Sequence, residues 1–263
     1  RFALARRGAA LLGVPGLDGM IRHHRVLYRD LADPVAFLRG ETDPELARFW
    51  PYVFGAGGAA DPAVAAAYSR IMTDSLVLVA EDTLRLADFS GVAHLLDVGG
   101  GTGAFLAAVG TAHPAIRLTL FDLPAVVADA EATFACAGLS TRATVVSGSF
   151  RDEPLPRGAD AISLVRVLYD HADDTVAALL AAAFDALPPG GRIIVSEPMS
   201  GGRHPDRNTD TYFAFYTAAM RTGRARTPAE IGAMLARAGF SGIRVRPGFR
   251  PYVTSVVLAR RPG

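Results

Sequence analysis

The sequence contains no lysine and no glutamine, and its single asparagine is Asn208. All 27 of its basic residues are therefore arginines. Together with the abundant alanine, this reads as a compositional bias of the source, so an arginine where lysine would serve carries little functional information. Cysteine occurs once, as Cys136, which excludes an internal disulfide and a cysteine-ligated metal cluster. No metal site is expected, and a reducing cytoplasm is the expected setting. An excess of charge of one sign is also missing, because 27 basic residues face 26 acidic ones for a net charge of +1. No basic surplus exists to displace the counterions of a phosphate backbone, so no nucleic-acid partner is expected. Long apolar runs are absent too: the stretches at 76–80 and 177–184 fall far short of the ~20 residues that span a bilayer. The chain begins Arg1-Phe2-Ala3 with no initiator methionine and no signal-peptide cleavage pattern, so residues are expected to be missing upstream.

What is present suits a folded chain. Half of the 263 residues are hydrophobic and a fifth are charged, which argues against intrinsic disorder and provides for a sizeable core. Residues 1–55 read as helical, with helices at 1–12 and 17–38, the second broken at Asp33-Pro34, where proline suits a first helical turn. A break follows at Gly55-Ala56-Gly57-Gly58. Asp61 and Pro62 are suited to the N-cap and first turn of a long helix reaching about 88.

From there strand and helix signals alternate. Strands are expected at 93–98, 116–121, 143–147, 161–167 and 192–197, and helices at 102–111, 124–137, 173–186, 208–221 and 228–238. Such alternation implies an α/β fold with a parallel sheet covered on both faces. The last two strands, 242–245 and 254–259, have no helix between them. They should form an antiparallel hairpin at one edge of the sheet.

Asp97-Val98-Gly99-Gly100-Gly101-Thr102-Gly103 lies between a strand and a helix. Glycines there permit a tight turn and a close approach of backbone to ligand, and the helix beyond offers free N–H groups. Gly99, Gly101 and Ala104 fit the G-x-G-x-x-G/A pattern of dinucleotide sites. Asp97, Gly99, Gly101 and Gly103 equally fit D-x-G-x-G-x-G, which resembles the first motif of S-adenosylmethionine (SAM) methyltransferases. Asp122, at the tip of the next strand, can hold ribose hydroxyls of either cofactor or simply cap a helix ahead of Pro124. Leu187-Pro188-Pro189-Gly190-Gly191 before the fifth strand, and the closing hairpin, resemble the methyltransferases and tilt the choice to SAM.

Six further pieces in order carry a wider resemblance. They are 72–75, 121–124, 148–150, 164–171, 194–198 and 223–227. From about Phe49 onward the chain resembles the SAM-dependent O-methyltransferase family that includes plant caffeate and flavonoid enzymes and bacterial polyketide enzymes. The resemblance implies a Rossmann-like SAM-methyltransferase sheet over 56–263 with an antiparallel last strand. Residues 1–55 would be the helical remnant of a winged-helix dimerisation domain. Within the family, 166–174 and the stretch from His23-His24 to Asp33-Pro34 look most like the branch that methylates the tertiary C1 hydroxyl of acyclic carotenoids. Polyketide or phenolic acceptors, or SAM binding without activity, are the alternatives. Expected partners are a hydrophobic small molecule and, in the full-length form, a second copy of the chain. A polyene acceptor also implies peripheral membrane attachment of an otherwise cytoplasmic protein.

Carried over residue by residue, Asp97, Gly99, Gly100, Gly101, Asp122, Leu123 and Phe150 would hold the cofactor. Arg166 would lie near the adenine and Met72 near the methionine portion. Ser149 stands where the family usually has an aspartate beside the adenine amino group, and a hydroxyl accepts that bond more weakly. The family's general-base histidine is replaced by Tyr169. One of its two flanking glutamates matches Glu197, and the other falls at Ala225. His171 is then either a displaced base or a ring packed under the site, and Asp170 caps the next helix or orients a neighbour. The acceptor side is expected from Trp50, Tyr52, Phe54, Met199, Tyr212, Phe213, Phe215, Tyr216 and Met220.

Overall fold

The computed structural model describes residues 3–49 and 62–263. Four helices come first: α1 (Arg6–Gly13), α2 (Leu17–Asp30), α3 (Pro34–Leu38) and α4 (Glu45–Phe49). Asp33 caps α3 by accepting the Ala36 N–H, with Pro34 in the first turn as its sequence implies. The glycine break at 55–58 and the Asp61 cap lie outside the described residues.

The long helix α5 (Pro62–Leu86) leads into the alternating part: β1 (His94–Val98), α6 (Ala104–Ala112), β2 (Arg117–Asp122), α7 (Ala130–Cys136), β3 (Ala143–Ser147), β4 (Ala161–Val165), α8 (Asp173–Ala186) and β5 (Arg192–Glu197). The chain ends with α9 (Thr209–Met220), α10 (Pro228–Arg237), β6 (Ser241–Arg246) and β7 (Ser255–Arg260). One seven-stranded sheet results, in the order β3-β2-β1-β4-β5-β7-β6. Strands β1 to β5 pair in parallel, and β7 is antiparallel to both β5 and β6. Strand order reverses beside β1, which places the crevice for a ligand at the carboxyl ends of β1, β2 and β4.

The sheet is buried on both faces. Leu96, Val98, Ile162, Leu164 and Val195 face α8 and α10. Leu95, Leu118, Leu120 and Ile194 face α5, α6 and α7. A third apolar cluster joins Leu27, Phe37 and Leu46 of the first four helices to Tyr216, Ala219 and Met220 of α9. The two regions separated near residue 55 in sequence thus share a core.

Three local expectations change. The helix expected from 124 begins as a 3₁₀ turn at Val127–Asp129, because the Leu123 carbonyl accepts from both Val126 and Val127 and tightens the chain there. Strand β4 stops at Val165, since Arg166 takes a left-handed φ of 57° that no strand continues. Asp170 does not cap α8: the N-cap is Ala172, and Asp170 is buried in a 3₁₀ turn, Leu168–Asp170.

Candidate active site

The loop leaving β1 turns back over the sheet because its glycines allow it. Gly101 has φ 62°, and its N–H donates to Asp122 Oδ2 at 2.8 Å. At Gly100 an added Cβ would run into the Leu120 side chain and the Asp97 carboxylate. Asp122 receives a second amide, that of Leu123, at 2.7 Å. Burial pushes its carboxyl up to about 6, with the two amides pulling the other way.

Asp97 is fully buried, and its Oδ1 accepts the Ser163 hydroxyl at 2.6 Å. Its Oδ2 has no hydrogen-bond partner among the described residues. Burial first, and then the nearby Asp122 charge, push Asp97 up to about 7 against the Ser163 bond. A buried carboxylate oxygen without a partner, aimed at a loop that only glycine can form, suits a ligand that brings a cation or a donor.

Met72, Asp97, Gly99, Gly100, Gly101, Asp122, Leu123, Ser149, Phe150 and Arg166 all line this one cavity. The Arg166 guanidinium donates to Ser75 Oγ at 2.9 Å and contacts Met72 Sδ at 3.7 Å. The two side chains thus meet within the cavity. Ser149 donates its hydroxyl to Asp152 at 2.8 Å, so the carboxylate missing at 149 stands one contact behind it.

His171 lines the same cavity, with its ring edge-on to Phe150 at 5.3 Å. Its Nδ1 accepts from Arg151 at 3.1 Å. Burial, followed by the Arg151 and Arg226 charges, pushes its pKa down to about 4. It lines the cavity as a neutral ring whose Nδ1 is taken by Arg151.

Glu197 lines neither cavity described here. Its Oε1 accepts the Val167 and Leu168 amides at 2.8 Å each, and its Oε2 the Tyr169 amide at 3.4 Å. It thus holds the turn that carries Tyr169 and Asp170. Arg226, 2% exposed, holds that turn from the other side. It donates to the Leu168 carbonyl at 2.7 Å and the His171 carbonyl at 2.8 Å, and pairs with Asp173 at 2.6 Å. Arg226 falls within the 223–227 stretch, where nothing in the sequence marks a role for it.

A second cavity of about 340 Å³ adjoins the first, and Met72 and Arg166 line both. Tyr169, Tyr212, Phe213 and Tyr216 face it, as do His23 and His24. The Tyr169 ring is edge-on to Phe213 at 5.5 Å. Of the other aromatic and methionine candidates, Phe215 and Met220 pack in the α9 cluster and Met199 in the core under β5. Trp50, Tyr52 and Phe54 lie outside the described residues. The two histidines were legible only as part of a resemblance. Among the described residues no group of three His, Cys, Asp or Glu could hold a metal ion.

A doubly covered sheet ending in an inserted antiparallel strand, with a glycine cradle facing an acid at the next strand tip, defines the fold of SAM-dependent methyltransferases. Residues 28–241 match the model of the O-methyltransferase domain, and the chain belongs to that family. It is 67% identical over 262 residues to demethylspheroidene O-methyltransferase of Cereibacter sphaeroides, covering 100% of this chain and 69% of that protein. To the enzyme of the same name from Rhodobacter capsulatus it is 55% identical over 260 residues, covering 99% of this chain and 65% of that protein. The chain thus spans about two thirds of the length of these relatives. Among solved structures, human N-acetylserotonin methyltransferase in complex with SAM superposes with a TM-score of 0.74 at 26% identity, over 94% of this chain and 70% of that one.

Proposed function

We propose that the chain transfers a methyl group from SAM to a hydroxyl of a hydrophobic small molecule, the tertiary C1 hydroxyl of an acyclic carotenoid. The observation that carries the reading is the pair of adjoining cavities, one holding every matched cofactor residue and the other walled by aromatic rings, with Met72 and Arg166 between them. When bound, SAM supplies an electrophilic methyl group on a sulfonium.

The chain's own residues then have distinct tasks. Asp122 would grip the ribose hydroxyls, and the partnerless Asp97 oxygen would face the methionine ammonium. Phe150 and His171 would wall the adenine end and exclude water from it. Glu197 and Arg226 hold the turn that presents Tyr169.

The absence of a histidine at 169 suits an alcohol. A phenol, with a pKa near 10 as for tyrosine, gains from an imidazole base. A tertiary alcohol is too weak an acid to be deprotonated beforehand, so alignment of oxygen, methyl and sulfur carries the rate, an effect worth ~7–11 kcal/mol. The second cavity has room for the hydroxyl end of a long polyene, the rest of which would lie outside. Demethylspheroidene, in the names of the two bacterial relatives, belongs to this substrate class.

Homodimerisation of the full-length protein and peripheral attachment at a membrane belong to the same proposal. Exposed Leu4, Leu11, Leu12 and Ile21 in the first two helices and the segment leading into them favour the latter. No helix among the described residues is long and apolar enough to cross a membrane. Tyr169 and Ala225 favour one competing reading, a SAM-binding protein without activity. Transfer of labelled methyl from SAM to 1-hydroxy carotenoids, set against a panel of phenols, decides. Carotenoid methylation supports the proposal, whereas methylation of phenols alone, or none despite SAM binding, refutes it.

A further inference from the structure

We infer that Tyr212 and His24 form the proton exit of the acceptor cavity: the substrate hydroxyl rests on the Tyr212 hydroxyl and sheds its proton through it to His24 Nε2. The inference rests on the reading above only in requiring a hydroxyl acceptor. The pair joins α2 to α9, with His24 Nε2 and Tyr212 Oη 2.9 Å apart and the rings edge-on at 5.1 Å. Both residues line the second cavity.

Arg166, which lines both cavities, shares the second one with Tyr212. Two of the other candidate proton acceptors are committed elsewhere. His171 faces the cofactor and accepts from Arg151, and Glu197 is occupied by backbone amides.

The groups facing the pair are His23 on the same helix, Tyr216 on α9 and Arg166 at the end of β4. His23 is itself hydrogen-bonded to Tyr216 at 2.8 Å and buried. Burial holds both imidazoles below their usual range, so His24 is neutral near pH 7 and has a nitrogen to offer. His24 is only half-buried, so the proton has a way out to water.

The step balances as follows. The acceptor oxygen forms its bond to the methyl carbon while the carbon–sulfur bond breaks, its electron pair staying on sulfur. The oxygen is then a protonated ether, a strong acid that a weak base can relieve. Its proton passes to Tyr212 Oη as the tyrosine proton passes to His24 Nε2, and His24 releases it to solvent.

Two measurements on the full chain test this. Nitrogen-15 NMR of histidine-labelled protein, with His24→Phe assigning the signal, should find His24 neutral with a bare Nε2. An Nε2 that carries the proton, or a charged ring at pH 7, overturns the relay whether or not the protein turns over. In kinetics, Tyr212→Phe and His24→Phe should each lower kcat about a hundredfold, the double variant no further, with KM and the SAM dissociation constant within about threefold of wild type. Wild-type kcat in Tyr212→Phe, or a loss confined to KM, refutes the inference. Absence of turnover in the wild type on every hydroxyl acceptor, with SAM bound, refutes instead the methyl-transfer reading, and the NMR result stands apart from it.

Discussion

Replacing Glu197 by alanine removes the acceptor of three backbone amides at once. Val167 and Leu168 donate at 2.8 Å, and Tyr169 at 3.4 Å. The side chain is 1% exposed, so water does not take over these bonds without rearrangement. A buried donor left unpaired costs about 1–3 kcal/mol, so the two short bonds set a cost of about 2–6 kcal/mol. A relief opposes it. Burial lifts the Glu197 carboxyl from 4.5 to about 7, and keeping it ionised at pH 8 costs about 3 kcal/mol at 1.36 kcal/mol per unit. Because the folded pKa is raised, the wild-type side chain contributes stability below pH 4.5 and loses it as pH climbs to about 7. Glutamine keeps an acceptor oxygen for the two short bonds and carries no charge. At pH 8, Glu197→Gln is therefore expected to be at least as stable as wild type, and Glu197→Ala about 2–6 kcal/mol below the glutamine variant. Urea unfolding read by circular dichroism measures both. In the alanine variant kcat should fall as the turn carrying Tyr169 loosens, while the SAM dissociation constant stays within a few-fold. Equal stability of the two variants would refute the reasoning, since the amides would then not depend on that acceptor.

Asp122→Ala should weaken SAM binding at least tenfold in calorimetry, because it removes both the carboxylate offered to ribose and the acceptor that holds the Gly101 amide. SAM affinity should fall as pH drops from 8 to 5.5, since Asp97 near 7 and Asp122 near 6 must both ionise to meet the ligand. The slope approaches tenfold per pH unit for each proton taken up, and a flat profile would contradict these roles. His171→Ala should raise the SAM dissociation constant and leave kcat at saturating SAM within about threefold, which fluorescence titration and steady-state kinetics separate; complete loss of kcat would make His171 a base.

The sheet was legible because its signals are local. Apolar runs such as 93–98 and 192–197 are strands buried on both faces, and glycines at 99, 101 and 103 can only be a turn. The cavity at the strand ends was legible for the same reason, since most of the residues proposed to line it follow successive strands of one sheet. What escaped is long-range. The His24–Tyr212 pair spans 188 residues and depends on how α2 lies against α9. Glu197 has the right position for a residue flanking a base, but only the backbone path after Arg166, left-handed at φ 57°, turns three amides onto it. Arg226, with a half-buried arginine two residues away, carries no sequence mark of burial. His171 and Phe150 share a wall because β3 and β4 end at the same crevice.

The most direct test of the account is calorimetric titration of the chain with SAM and, separately, with NADH. The account predicts one SAM site per chain, lost in Asp122→Ala, and no heat with NADH. Binding of NADH, or SAM binding indifferent to Asp122, would contradict it.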